Sequence, residues 1–68
     1  MRYKVELCIP TSYADDCQRG FYVFECTNLQ KACEFAEREA ANIKVQGGLM
    51  QVVRPSDATI IMSFDCAN

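Results

Sequence analysis

The chain is expected to fold as a single α+β domain spanning 1–68, in the order β-β-α-β-β, with a four-stranded, mainly antiparallel sheet and one helix packed on one face. Three observations predict this. The chain opens on a hydrophobic alternation of period two, continues through apolar residues spaced three and four apart, and ends in two β-rich runs separated by turn residues. At this length only one core fits, because a domain of about 60 residues buries only about 60% of its unfolded surface.

From Arg2 to Ile9, Tyr3, Val5, Leu7 and Ile9 fall on one side and Arg2, Lys4, Glu6 and Cys8 on the other, the pattern of a half-buried strand. Pro10 lacks a ladder donor and opens a polar loop, Thr11 through Arg19, that closes at Gly20. Phe21 to Cys26 is aromatic and β-branched, a second strand. Thr27-Asn28-Leu29-Gln30 then matches a capping box with Thr27 as the cap. From Leu29 to about Lys44 the positions Leu29, Ala32, Cys33, Ala36, Ala40 and Ile43 form one helical stripe, with Gln30, Glu34, Glu37, Arg38 and Ala41 opposite. The small residues of the stripe let the helix lie close to a sheet, Phe35 adds bulk at its edge, and Glu34 and Arg38 are spaced to pair.

Gly47-Gly48 is expected to end the helical region. Leu49–Arg54 reads as a third strand, Pro55-Ser56-Asp57 as a turn, Ala58–Phe64 as a fourth strand, and Asp65–Asn68 as a frayed tail. The helix reverses the chain, so the third strand runs parallel to the second; inserting it beside the first gives a fully antiparallel sheet in the order 2-1-3-4, the preferred arrangement, with a parallel contact as the alternative.

One helix covers one face of such a sheet. The inner face is expected to hold Tyr3, Val5, Leu7, Ile9, Tyr22, Phe24, Met50, Val52, Ile60, Met62 and Phe64. The outer face then carries Phe21, Val23, Leu49, Val53 and Ile61 among Arg2, Lys4, Glu6, Gln51 and Thr59, too apolar for a simple solvated face. It is therefore expected to bind a protein or a second copy of the chain, unless a strand lies one residue out of register and these side chains are core.

The composition narrows the function. Formal charge is −2 and the basic residues are scattered, which argues against a phosphate-backbone binder. There is no apolar run of about 20 residues and no signal-peptide core behind Met1, so a cytoplasmic protein without a membrane span is expected. Cys8, Cys17, Cys26, Cys33 and Cys66 are odd in number with no C-x-x-C pair, and read mainly as reduced thiols, with a Cys17–Cys66 disulfide or a thiolate metal site as lesser alternatives. The chain has no histidine to act as a base near neutral pH and no nucleophile-elbow, P-loop or dinucleotide signature. Asp15 and Asp16 read as solvated turn residues, and Asp16 would raise the pKa of Cys17. No enzyme activity, catalytic residue, metal or cofactor is expected.

Size, topology and the Gly47-Gly48 step before the second hairpin make nearly the whole chain resemble small phage-encoded inhibitors, including anti-CRISPR proteins that bind a surveillance complex. The resemblance implies a cytoplasmic inhibitor, in the host cytoplasm if phage-encoded, that occupies a surface of a larger protein or ribonucleoprotein complex. About two thirds of the chain also resembles the amino-terminal half of HicB-type antitoxins, through Met1-Arg2-Tyr3-Lys4-Val5, Gly20-Phe21-Tyr22-Val23 and an Ala/Glu-rich helix, which implies a small dimeric regulator. A third alternative, single-stranded nucleic-acid binding through Tyr13, Phe21 and Tyr22, lacks the interleaved basic residues such surfaces use. The residues expected to contact a partner are Tyr13, Asp15, Asp16 and Arg19 in the loop, Phe21, Val23, Gln51, Val53 and Ile61 on the sheet, and Glu34, Glu37 and Arg38 on the helix.

Overall fold

The structure, a computed structural model, describes residues 1–10, 17–18 and 23–67, with the backbone alone described at Pro10, Cys17, Gln18 and Val23. Five strands and one helix occur in the order β1 (Tyr3–Pro10), β2 (Cys17–Gln18), β3 (Val23–Cys26), α1 (Leu29–Asn42), β4 (Leu49–Arg54) and β5 (Thr59–Asp65). Among the described residues these strands pair antiparallel, and one isolated parallel bridge joins Lys44 to Ala67 outside them. β3 pairs with β1, β1 with β4 and β4 with β5, which is the expected 2-1-3-4 arrangement of the four long strands. The two-residue β2 pairs with Ile9 and Pro10 of β1, so the stretch read as loop contains a short strand.

The α+β reading therefore holds, and the core shows why. Ala32, Ala36 and Ala40 form a buried stripe on α1 and meet Val5, Leu7, Met50 and Val52 of the central strands. With no side chain beyond Cβ at these positions, the helix axis approaches the sheet closely and the bulk of Met50, Val5 and Val52 fills the gap. Phe24 of β3 and Phe35 of α1 stack with ring centroids 4.1 Å apart and planes 13° from parallel, closing the end of the core where alanines alone would leave a void.

Several boundaries differ from expectation. The helix cap is Asn28 rather than Thr27: Asn28 Oδ1 accepts the Lys31 N–H at 3.1 Å. Both residues suit the role, and the backbone places the extended conformation at Asn28. α1 stops at Asn42 with Ile43 extended, so the paired glycines are not its cap. They instead close a tight turn into β4, where Gly47 has φ 76° and the Gly48 N–H donates to the Val45 carbonyl at 3.0 Å. Of the expected frayed tail, Asp65 belongs to β5, Cys66 and Ala67 are pinned, and Asn68 lies outside the described residues. Cys66 is buried with its N–H on the Gly48 carbonyl at 3.0 Å, and the Ala67 N–H reaches the Ala40 carbonyl at 2.9 Å.

A β-bulge opposite Val52/Val53 splits the expected inner face of β5. Met62 pairs with Val52 and Phe64 with Met50, both on the helix side, whereas Ile60 pairs with Val53 and points to the other face. At the adjoining hairpin tip, Arg54 makes a forked ion pair with Asp57 at 2.8 and 3.1 Å, and Asp57 Oδ1 also accepts the Thr59 N–H at 3.1 Å. Ala58 sits between them at φ 58°, the left-handed region that an L side chain disfavours.

Ala58→Gly is expected to stabilise the domain by about 0.5–1 kcal/mol, read as a raised denaturant midpoint, because the strain removed exceeds the added freedom of the unfolded chain. The Arg54 guanidinium and the Thr59 amide hold the Asp57 carboxyl below the usual carboxylate range. That contribution to stability is fully present above the ordinary value of about 4 and is lost as pH falls through the lowered folded value. Thermal unfolding from neutral to strongly acidic pH should show a steeper acid loss in the native chain than in Asp57→Asn.

Candidate functional site

The exposed side of α1 is the best-formed candidate surface. Glu34, Glu37, Arg38 and Ala41 line a shallow, open depression, and all four are solvent-exposed. Their placement follows from the alanine stripe: fixing Ala32, Ala36 and Ala40 inward turns these positions outward. The expected Glu34–Arg38 ion pair is not among those of the described residues. Arg38 lies over the Phe35 ring, 5.6 Å from its centroid, a cation–π arrangement, while Glu34 accepts from Gln30 Nε2 at 3.2 Å. Glu34 and Glu37 thus present carboxylates that no described cation neutralises.

The far side of the sheet departs from the reading of an open apolar face. Cys8 is 1% exposed, Val53 5% and Gln51 6%, although all three point away from α1. Gln51 and Val53, expected to contact a partner, are buried in the folded chain. Ile61 is half-buried at the bulge. The argument from one helix fails here because it treated every residue off the helix side as solvent-facing, whereas burial depends on the whole chain. Tyr13, Asp15, Asp16, Arg19 and Phe21 lie outside the described residues, and the Val23 side chain does too. Of the twelve residues expected at a partner surface, the structure brings together Glu34, Glu37 and Arg38.

The apolar residues left in solvent are elsewhere. Met62 is 46% exposed and Ile60 40%, on opposite faces of β5. Sequence reasoning assigned both to the core. The one available signal was the absence of any charge from Thr59 to Phe64, which reads equally as a buried strand.

The cysteines are also divided differently from expectation. Cys8 is disulfide-bonded, whereas Cys26, Cys33 and Cys66 are free. The general reading as reduced thiols is corrected for Cys8, and the Cys17–Cys66 alternative is excluded by the free Cys66. Burial, with Cys26 and Glu37 adding to it, pushes the Cys33 thiol up, and burial with Asp65 does the same to Cys66. Cys26 donates its S–H to the Asn28 carbonyl at 3.2 Å. Among the described residues, no cluster of three or more His, Cys, Asp or Glu is placed to hold a metal ion, and no helix is long and apolar enough to cross a membrane.

Gln51 Oε1 is the one buried side-chain oxygen or nitrogen among the described residues without a hydrogen-bond partner. An unpartnered amide oxygen costs about 1–3 kcal/mol when desolvated. Gln51→Met, of similar length and without the oxygen, is therefore expected to raise the unfolding midpoint by about 1 kcal/mol. An unchanged or lowered midpoint would show that the oxygen is satisfied in solution.

Compared with known proteins, the chain matches no protein-family model, no curated protein and no solved structure.

Proposed function

We propose that this domain is a non-catalytic protein-binding module that sets the acidic outer face of α1 against a basic surface of a larger protein or ribonucleoprotein complex, in the manner of a phage or mobile-element inhibitor of the anti-CRISPR type. The observation that carries the reading is the pair of exposed carboxylates at Glu34 and Glu37, one helical turn apart, with their neighbouring cation drawn onto Phe35. Carboxylates on a rigid helix lose little freedom on binding and steer encounter with a positive surface. A complex that grips nucleic acid must present such a surface, because phosphate binding requires clustered Lys and Arg. Occupying it would block the nucleic acid without any chemical step. The net charge of −2 favours the same class of partner and disfavours direct binding to nucleic acid.

The test is competition. The purified protein is titrated into a nucleic-acid-guided host defence complex while binding of its target nucleic acid is followed, alongside the Glu34→Lys/Glu37→Lys double variant. Wild type should displace the nucleic acid, weakening as salt rises, and the double variant should lose about tenfold or more in potency. Equal potency of the two proteins, or a shift of single-stranded RNA by the protein alone with no effect on the complex, would refute the reading.

A further inference from the structure

We infer that Phe35 is a positioning residue that keeps the outer face of α1 acidic, because its ring holds the Arg38 guanidinium away from Glu34. α1 carries two basic residues, Lys31 and Arg38, among Glu34, Glu37 and Glu39. Glu34 stands four residues before Arg38, the order and spacing at which an acidic and a basic side chain pair best on a helix. Yet neither Lys31 nor Arg38 enters any ion pair of the described residues.

Two neighbours compete for the guanidinium. Helical side chains lean toward the amino terminus, so Arg38 reaches back over the turn that holds both Glu34 and Phe35. It lies over the Phe35 ring, 5.6 Å from the centroid. An exposed ion pair at this spacing contributes little, because water and salt screen it and two long side chains must be ordered together. A cation over a ring contributes as much or more, and orders only one mobile side chain when the ring is already fixed. Phe35 is fixed. It is half-buried, packs against the core and stacks on Phe24 with centroids 4.1 Å apart and planes 13° from parallel.

Glu34 accepts instead from Gln30 Nε2 at 3.2 Å. That amide carries no charge, so it directs the carboxylate without neutralising it. The depression lined by Glu34, Glu37, Arg38 and Ala41 stays open because Glu34 and Arg38 do not close on each other. The interior thereby sets the charge of the surface: Phe24 of β3 fixes Phe35, Phe35 holds Arg38, and Arg38 is kept from neutralising Glu34. The benefit to a basic partner rests on the binding reading proposed above, whereas the choice Arg38 makes between its two neighbours does not.

That choice is read by NMR on the whole chain. In the native protein the Arg38 side-chain protons should be shifted upfield by the Phe35 ring current and show nuclear Overhauser contacts to the ring. Phe35→Leu should abolish both, bring Arg38 into contact with Glu34 and move the Glu34 carboxyl carbon resonance. In Phe35→Leu/Arg38→Gln that resonance should return to its native position. Phe35→Tyr keeps the ring face and should keep the native pattern, which loss of packing alone would not explain. In the competition assay Phe35→Leu should lose about two- to threefold in potency and Phe35→Tyr none. Phe35 loses this role if Arg38 in the native chain shows no ring shift or contacts Glu34, readings that need no substitution in the core and hold even where Phe35→Leu fails to fold. It loses the role equally if Phe35→Tyr behaves as Phe35→Leu, or if the carboxyl shift persists without Arg38. A native protein with ring-shifted Arg38 that displaces no nucleic acid refutes the binding reading alone.

Discussion

How near α1 can approach the sheet is set by three alanines, Ala32, Ala36 and Ala40, and most of the architecture depends on that approach. A stripe without long side chains leaves Val5, Leu7, Met50 and Val52 to make the core from the sheet side, so the two central strands, β1 and β4, carry the apolar bulk. Larger side chains from the helix reach the core at its margins, where Cys33, Phe35 and Ile43 pack. Phe24 and Phe35 seal one end of the contact by stacking, and the pinned Cys66 and Ala67 tie the chain's end against the same layer.

Close approach also limits what the helix covers. It packs on β5 as well as on the central strands, with Phe64 against the core, yet Met62 stands in solvent although it points to the helix side. The bulge beside Val53 turns Ile60 to the opposite face, so the rim strand is apolar in both directions. The same geometry turns Glu34 and Glu37 outward and lets Arg38 fold back over Phe35. One helix position therefore produces two unlike surfaces, an acidic helix face and an apolar strand edge.

The side of the sheet away from α1 obeys a different constraint. Cys8, Gln51 and Val53 are buried there, and Cys8 is in a disulfide. Gln51 Oε1 is buried without a partner in the middle of that face, a local cost borne by a domain whose size leaves little stability in reserve.

Local rules in the sequence determined the fold class and the order of the helix and the four longer strands along the chain, while the pairing order of those strands and the short β2 were settled by the tertiary structure. Alternation from Arg2 to Ile9 and the three-and-four spacing from Ala32 to Ile43 depend only on which residues share a face, and face-sharing is a property of backbone periodicity. The acidic helix face was legible for the same reason, since Glu34, Glu37 and Arg38 lie opposite the alanine stripe whatever the stripe packs on. Tertiary structure alone decided which sheet residues are covered. Val53 and Ile60 have similar side chains and pair across the sheet, yet one is 5% and the other 40% exposed, because coverage is set by how far neighbouring layers extend. Ile60 also escaped the alternation rule, since a single bulged residue reverses the facing of everything on one side of it. The cap at Asn28, the stop at Asn42 and the disulfide at Cys8 likewise turned on distances between atoms that residue order does not specify.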